Sequence, residues 1–317
     1  MSKKIDFKNI QKLMRNKKKS PDKKVSYLLE MTNSEAIKAA KDFSDQLTDY
    51  HWKYYYELAQ QREKIIDKIK ISLISAAKSF EFNQWQRAVK WQYSNHPLCA
   101  LGSTTFIGQR FNYGEDINSQ ISKFPALYFA IDKDTALQET LGQSSAKNLE
   151  LTAKEIALSN PQSESIVSVS GSLDSVIDLR SEGSLSKFVK HISNFKLSPE
   201  VKKIAKHLGD EISLISTVKG LKDSLLDPSW RLRPVQYQVP SNSQIFGHLV
   251  YLSGVQGVLY TSKLTKKDCL VVFPTNFKNT DSFLKFDDNR PDDRIPEKID
   301  LSNFELTLKT YKQITTN

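Results

Sequence analysis

Phe124-Pro125-Ala126-Leu127-Tyr128-Phe129-Ala130, followed after three residues by Asp134-Thr135-Ala136-Leu137-Gln138-Glu139-Thr140-Leu141, is the stretch on which the fold turns. The first run is apolar and of strand length. The second opens on an aspartate suited to an N-cap and continues as a short helix. Further along, Ile166–Ser170 and Ser175–Leu179 alternate as a pair of strands, with Gly171-Ser172 as their turn. Gly257-Val258-Leu259-Tyr260 and Cys269-Leu270-Val271-Val272-Phe273 read as two more strands around a lysine-rich turn at 262–268. Phe304-Glu305-Leu306-Thr307-Leu308 alternates as a terminal edge strand. Ser198-Pro199-Glu200 supplies a cap, a proline at the first helical position and an acid in the first turn, so a helix starts there. Another helix is predicted over 211–226. Strands and helices mixed in this way predict an α+β body from about residue 97 to the end.

The chain ahead of that body has a different texture. Between Asp22 and His96 there is neither glycine nor proline. Thr32-Asn33-Ser34-Glu35 has the form of a capping box, and Ile37, Ala40, Phe43 and Leu47, then Trp52, Tyr55 and Leu58, recur at helical spacing. The pattern continues through Ile65, Ile69, Leu73 and Ala77, which predicts two or three helices up to about residue 94. The run His51-Trp52-Lys53-Tyr54-Tyr55-Tyr56 has the composition of a base-stacking platform, but aromatics at helical spacing more commonly pack helices together. The predicted organisation is a basic arm over 1–24, a helical N-terminal region over 25–96 and the α+β domain over 97–317.

A formal net charge of +10 suggests nucleic-acid binding until it is located. Residues 1–24 carry ten Lys and Arg against Asp6 and Asp22, a net of +8, which leaves +2 for the other 293 residues. The basicity belongs to the arm, which reads first as a solvated tail and second as a contact for a polyanion or an anionic membrane. No apolar stretch approaches the length of a membrane span, and no apolar segment of signal-peptide type follows the basic start. Two cysteines, Cys99 and Cys269, cannot form a disulfide framework. These features fit a cytoplasmic protein, or one delivered into a target cell without a cleaved signal. The five histidines lack metal-ligand spacing, and no nucleophile elbow, phosphate-binding loop or dinucleotide fingerprint occurs.

What remains is a set of polar residues at the ends of apolar runs. Gly108-Gln109-Arg110-Phe111-Asn112 places an arginine in a segment able to extend as a strand, and a guanidinium fork suits a pyrophosphate. Glu139 on the helix after Tyr128 can stabilise an oxocarbenium-like ribose. Tyr128 can stack on a ring, and Ser262 can bond a ribose or phosphate. Singly, each has an ordinary alternative: an ion pair, a solvated helix carboxylate, a core aromatic, a strand-end hydroxyl.

Taken in order, Gly108-x-Arg110-Phe111-Asn112, Phe124–Ala130, Thr135-Ala136-Leu137-Gln138-Glu139, Pro240–Gly247 and Gly257-Val258-Leu259-Tyr260-Thr261-Ser262 before Leu270-Val271-Val272-Phe273 resemble the RES domain family. The resemblance spans roughly residues 97–275. It implies an ADP-ribosyltransferase-like fold with a split mixed β-sheet, and NAD⁺ breakdown by phosphorolysis or hydrolysis as the toxin of a bacterial toxin–antitoxin pair. NAD⁺ is then a substrate and not a resident cofactor, with inorganic phosphate as co-substrate in the phosphorolytic case. The implied roles are Arg110 on the pyrophosphate, Tyr128 beside nicotinamide, Glu139 at the ribosyl transition state and Ser262 lining the pocket. Phe111 and Asn112 join Arg110 and Ser262 as substrate-binding candidates, with Asn112 orienting the loop. A helix–turn–helix antitoxin or an immunity protein is the implied partner, and self-association into a homo-oligomer is a further expectation. Three departures from the family pattern bear on loop contacts: a longer segment over 113–123, Gln109 in place of a frequent glycine, and Thr261 in place of a common proline. Transfer of ADP-ribose to a macromolecule is the second reading, and a non-enzymatic nucleic-acid- or partner-binding module built on the basic arm and the N-terminal helices is the third. The residue two before Glu139 is Leu137, not the Glu or Gln that would orient a guanidinium acceptor, which tilts the balance toward small-molecule chemistry.

Overall fold

The computed structural model describes residues 34–117, 121–141, 164–181, 183–210 and 213–316. The expected basic arm, Thr32 and Asn33 of the capping box, and the start of the helix expected at 211 lie outside them. Two compact units divide the chain, 1–46 and 47–317. In the first, the described residues belong to the opening turns of helix α1 (Ser34–Lys64).

In the second unit the later turns of α1 use the aromatic run for packing. Tyr50, Tyr54 and Leu58 cluster with Leu197, Val201 and Ala205, and the Tyr50 hydroxyl donates to Asp210 Oδ2 at 2.7 Å. Helix α2 (Ile66–Ala76) follows. Here the helical expectation ends early, because Lys78–Lys90 is not helical but forms the long strand β1. The period-two signal is present at Phe80 and Phe82 and again at Trp85, Arg87 and Val89. A bulge between Phe82 and Trp85, with Gln84 at φ 56°, breaks its parity in the middle. A period that slips by one residue is easily taken for a helical one.

The strands that follow are β2 (Gly108–Gln109), β3 (Asn112–Tyr113), β4 (Leu127–Ala130), β5 (Glu164–Asp178), β6 (Gly257–Thr261), β7 (Asp268–Val272), β8 (Phe283–Phe286) and β9 (Lys298–Ile299). Among the described residues, seven of them form one mixed sheet in the order β1-β4-β7-β6-β5-β8-β9, and β2 and β3 form a separate hairpin. Because β1 pairs with both β4 and β5, the run from β1 to β5 closes on itself. Strands β5 and β6 are parallel, so their connection must cross over. Helix α3 (Lys133–Leu141) precedes β5, and the crossover from β5 to β6 carries α4 (Ser186–Ile192), α5 (Pro199–Leu208), α6 (Val218–Leu225), α7 (Leu232–Tyr237) and α8 (Asn242–Leu252).

Alternation along the central strands feeds two cores. Leu127, Phe129, Leu259, Leu270 and Val272 enter one cluster with Phe82 and Trp85. Their neighbours Ala130, Val258, Tyr260, Cys269 and Val271 enter the other, against α2 and the crossover helices. The site is built on this second face.

Four other expectations need correction. Residues 164–178 are one continuous strand, not a hairpin turning at Gly171-Ser172. A Cβ on Gly171 would lie 2.7 Å from Phe283 O and 2.8 Å from the Phe82 ring, so this glycine permits close strand approach without reversing the chain. Residues 304–308 form a 3₁₀ turn that buries Phe304 and Thr307, three apart, instead of an edge strand. The helix expected over 211–226 starts only at Val218, where Thr217 Oγ1 accepts from Gly220 N. The cap of α3 is Asp132, whose Oδ1 accepts from Thr135 N at 2.9 Å, and not Asp134. No described helix is long and apolar enough to cross a membrane.

Candidate active site

Arg110 occupies a two-residue turn between β2 and β3, not the strand expected of it. Gln244 at the start of α8 holds that turn in place. Its Oε1 accepts from Ser241 N in a capping box, while its Nε2 donates to the carbonyls of Ile107 (2.8 Å), Gln109 (3.2 Å) and Asn112 (3.2 Å). One side chain thus caps the helix and clamps the hairpin. Gly247, one turn on, completes the junction, since a Cβ there would sit 2.0 Å from Phe111 O. The sheet contributes a third support. The Tyr128 hydroxyl accepts from Phe111 N at 3.0 Å and donates to Asn112 Oδ1 at 2.8 Å. Asn112 Nδ2 donates in turn to Ser103 O at 2.8 Å and Phe124 O at 3.2 Å.

Glu139 approaches from the other side on α3, which packs against β1 and β4. Ser262 Oγ, one residue beyond β6, donates to Glu139 Oε1 at 2.5 Å and accepts from Leu264 N (3.0 Å) and Thr265 N (3.2 Å). The Tyr260 hydroxyl stands 3.5 Å from Glu139 Oε2. Burial, and after it the Glu139 charge, pushes the Tyr260 phenol and the Cys269 thiol well above their ordinary range. Both therefore stay neutral beside the carboxylate.

Arg110, Tyr128 and Glu139 line one cavity of about 660 Å³. The remaining sequence candidates sit elsewhere. Phe111 and Asn112 are fully buried and outside the lining, so they support the turn from beneath. Ser262 is 1% exposed and lies behind Glu139 instead of lining the cavity.

The same wall carries cations that the sequence reading passed over: Arg87, Lys90, Arg231 and Lys263. Arg87 is buried on β1. It donates to the carbonyls of Pro97, Tyr128 and Cys99, and burial pulls it down to about 10. Trp230 and Arg231 lie just ahead of α7. Arg87 gives no site signal in the sequence because the slipped period of its strand mimics a helical pattern. The cluster Trp230-Arg231-Leu232-Arg233 is the sequence signal for Trp230 and Arg231. Among the described residues, no three His, Cys, Asp or Glu side chains group as a metal site.

The cavity thus sets one carboxylate, Glu139, against five cationic side chains, an arrangement suited to a ligand with a polyanionic part and a centre that becomes positive as it reacts. A chain in the crystal structure of the M. tuberculosis MbcT–MbcA toxin–antitoxin complex is similar at 15% identity and a TM-score of 0.38, over 79% of this chain and 98% of that one. No curated protein matches the sequence. The RES domain model matches residues 85–291, a span that takes in β1 from Trp85 onward together with Arg110, Glu139 and Ser262, and the chain belongs to the RES domain family.

Proposed function

We propose that this chain binds NAD⁺ and breaks its nicotinamide–ribose bond, acting as the toxin of a toxin–antitoxin pair or as an effector. The observation that carries the reading is the Ser262–Glu139 hydrogen bond of 2.5 Å, which fixes a carboxylate on the wall of a cavity whose other charged lining residues are all cations. In this reaction the bond from ribose C1′ to the pyridinium nitrogen breaks. Its electron pair goes to the ring, which leaves as neutral nicotinamide, and positive charge develops on the ribosyl C1′–O4′ unit. Glu139, held in place before the charge appears, stabilises that unit without reorganising. An oxygen of phosphate or water then bonds to C1′. Water must lose a proton in that step, for which the same carboxylate is the base. Arg110 holds the pyrophosphate, and the Tyr128 network keeps the Arg110 turn rigid.

Purified protein incubated with NAD⁺, with and without inorganic phosphate, tests the reading by product identification. Phosphorolysis gives ADP-ribose 1-phosphate, whereas hydrolysis gives ADP-ribose; both release nicotinamide. If NAD⁺ persists, or if Arg110→Ala and Glu139→Ala consume it as fast as the parent protein, the reading falls. A partner antitoxin or immunity protein belongs to the same proposal, and rescue of growth by a co-expressed neighbouring gene product would support it.

A further inference from the structure

Arg110 and Arg231 share one indole. The Arg110 guanidinium carbon is 5.7 Å from the centre of the Trp230 ring and that of Arg231 is 4.6 Å from it. Trp230 is 5% exposed, so it is a fixed platform and not a mobile flap. Arg110 Nη1 donates to Asp227 O at 2.9 Å and Leu225 O at 3.3 Å, which ties the β2–β3 turn to the loop that carries Trp230 and Arg231. Both arginines face the cavity that Glu139 lines.

Two cations brought together in this way oppose each other; local desolvation of the guanidinium where it lies over Trp230, and then the Arg110 charge, lower the affinity of Arg231 for its proton, although the residue as a whole stays exposed. Among the described residues neither arginine has a salt-bridge partner. Arg110 Nε is buried and lacks a hydrogen-bond acceptor, an omission that proteins rarely tolerate without a reason. An anion seated between the two guanidinium groups supplies the missing acceptors and removes the repulsion. One with two adjacent phosphates offers each fork its own set of oxygens.

We infer that Arg231 is a substrate-binding residue which, with Arg110 beside the same Trp230 ring, forms a two-arginine clamp for the pyrophosphate of a nucleoside diphosphate moiety. The inference takes its substrate from the NAD⁺ reading, but it concerns binding and is measured without turnover. The clamp makes Arg231 a determinant of specificity. Ligands with a pyrophosphate engage both guanidinium groups, a monophosphate engages one fully, and a nucleoside engages neither.

The test is calorimetric titration of the full-length protein with ADP, AMP and adenosine, for the parent and for Arg231→Ala and Arg231→Lys. Arg231 is exposed and caps nothing through its side chain, so both variants are expected to melt as the parent does. The parent binds ADP more tightly than AMP, and AMP more tightly than adenosine. Arg231→Ala weakens ADP by about 10- to 100-fold, the range for loss of charge-assisted hydrogen bonds, and leaves adenosine unchanged. Arg231→Lys, with charge but no fork, falls between. The clamp is overturned if the parent does not bind ADP, if Arg231→Ala binds it as the parent does, or if that variant loses ADP and adenosine equally. Arg231-dependent ADP binding by a protein that leaves NAD⁺ intact keeps the clamp and sinks the proposed reaction instead.

Discussion

Ser262 Oγ lies 2.5 Å from Glu139 Oε1, and the same oxygen accepts hydrogen bonds from the amides of Leu264 and Thr265. The hydroxyl has one proton, and the two amide donors leave that proton free to point only at the carboxylate. The turn after β6 therefore dictates where Glu139 rests. Ser262→Ala leaves two half-buried amides and one carboxylate oxygen without their partner. The expected result is a kcat for NAD⁺ cleavage lower by about 10- to 100-fold, with KM nearly unchanged, and a stability loss of about 1–3 kcal/mol. Ser262→Thr keeps the donor and recovers most of the rate. Equal KM and kcat effects in steady-state kinetics would contradict a role that runs through Glu139.

Tyr128→Phe separates two roles for this residue. A ring that only stacks on nicotinamide works as well in phenylalanine. In the structure, however, the hydroxyl joins Phe111 N to Asn112 Oδ1 beneath the Arg110 turn, and burial raises its pKa well above the ordinary range so that it stays protonated to do so. Removing it leaves a buried amide unsatisfied, at a cost of about 1–3 kcal/mol. The expected kinetic effect is a KM for NAD⁺ several-fold higher with a smaller change in kcat. A Phe variant with parent-like melting temperature and KM would return Tyr128 to the stacking role.

Legibility in the sequence followed the range of the forces involved. Strands β4, β6 and β7 and helix α5 were readable because their signals are local: apolar runs of the right length, and the Ser198-Pro199 start. Strand β1 was not, since its bulge at Gln84 is imposed by pairing with β5, some eighty residues away. Gly171 has the sequence signature of a turn because sequence does not distinguish a glycine that bends from one that admits Phe283. At the candidate site, the order of the surrounding blocks picks out Arg110, Tyr128 and Glu139, and the fold brings these three to one cavity. Their division from Phe111, Asn112 and Ser262, which hold the lining residues but do not reach the cavity, depends on which side chain faces inward at a tight turn. Arg231 was missed because only the fold brings Trp230 beneath Arg110.

Gly247→Ala tests whether the hairpin is positioned by α8. The added carbon would lie 2.0 Å from Phe111 O and 2.6 Å from Phe111 C, both backbone atoms with no rotamer to change. The hairpin or the helix must shift, and either movement carries Arg110 away from Trp230. Overpacking of this kind costs about 1–3 kcal/mol. The expected signature is a lower melting temperature together with weakened ADP binding. Gly209→Ala is the control, because that glycine ends α5 in the left-handed region with no heavy atom near its Cβ direction. It is expected to lose stability through backbone strain alone and to keep ADP affinity.

His248 gives a pH dependence with a definite sign. On α8 its ring stands 4.9 Å from that of Tyr113 and 5.3 Å from that of Phe124, and burial, then the nearby Arg62 charge, pulls its pKa down to about 4. The unfolded chain takes up this proton near pH 6.5, the ordinary histidine value. Between about 6.5 and 4 the unfolded state thus holds a proton that the folded state refuses. Stability from this group is complete above about pH 6.5 and is lost as pH falls through the window, by at most about 1.4 kcal/mol per pH unit. His51, also pulled down to about 4 by burial and Arg233, adds a second contribution of the same sign. Denaturant midpoints from pH 7.5 to 4.5 should therefore fall less steeply for His248→Gln than for the parent. The variant carries a pH-independent penalty for the altered packing, so the slope and not the level is the readout. Parallel slopes would show that the imidazole titrates normally in the folded protein and that its contacts with Tyr113 and Phe124 leave it open to water.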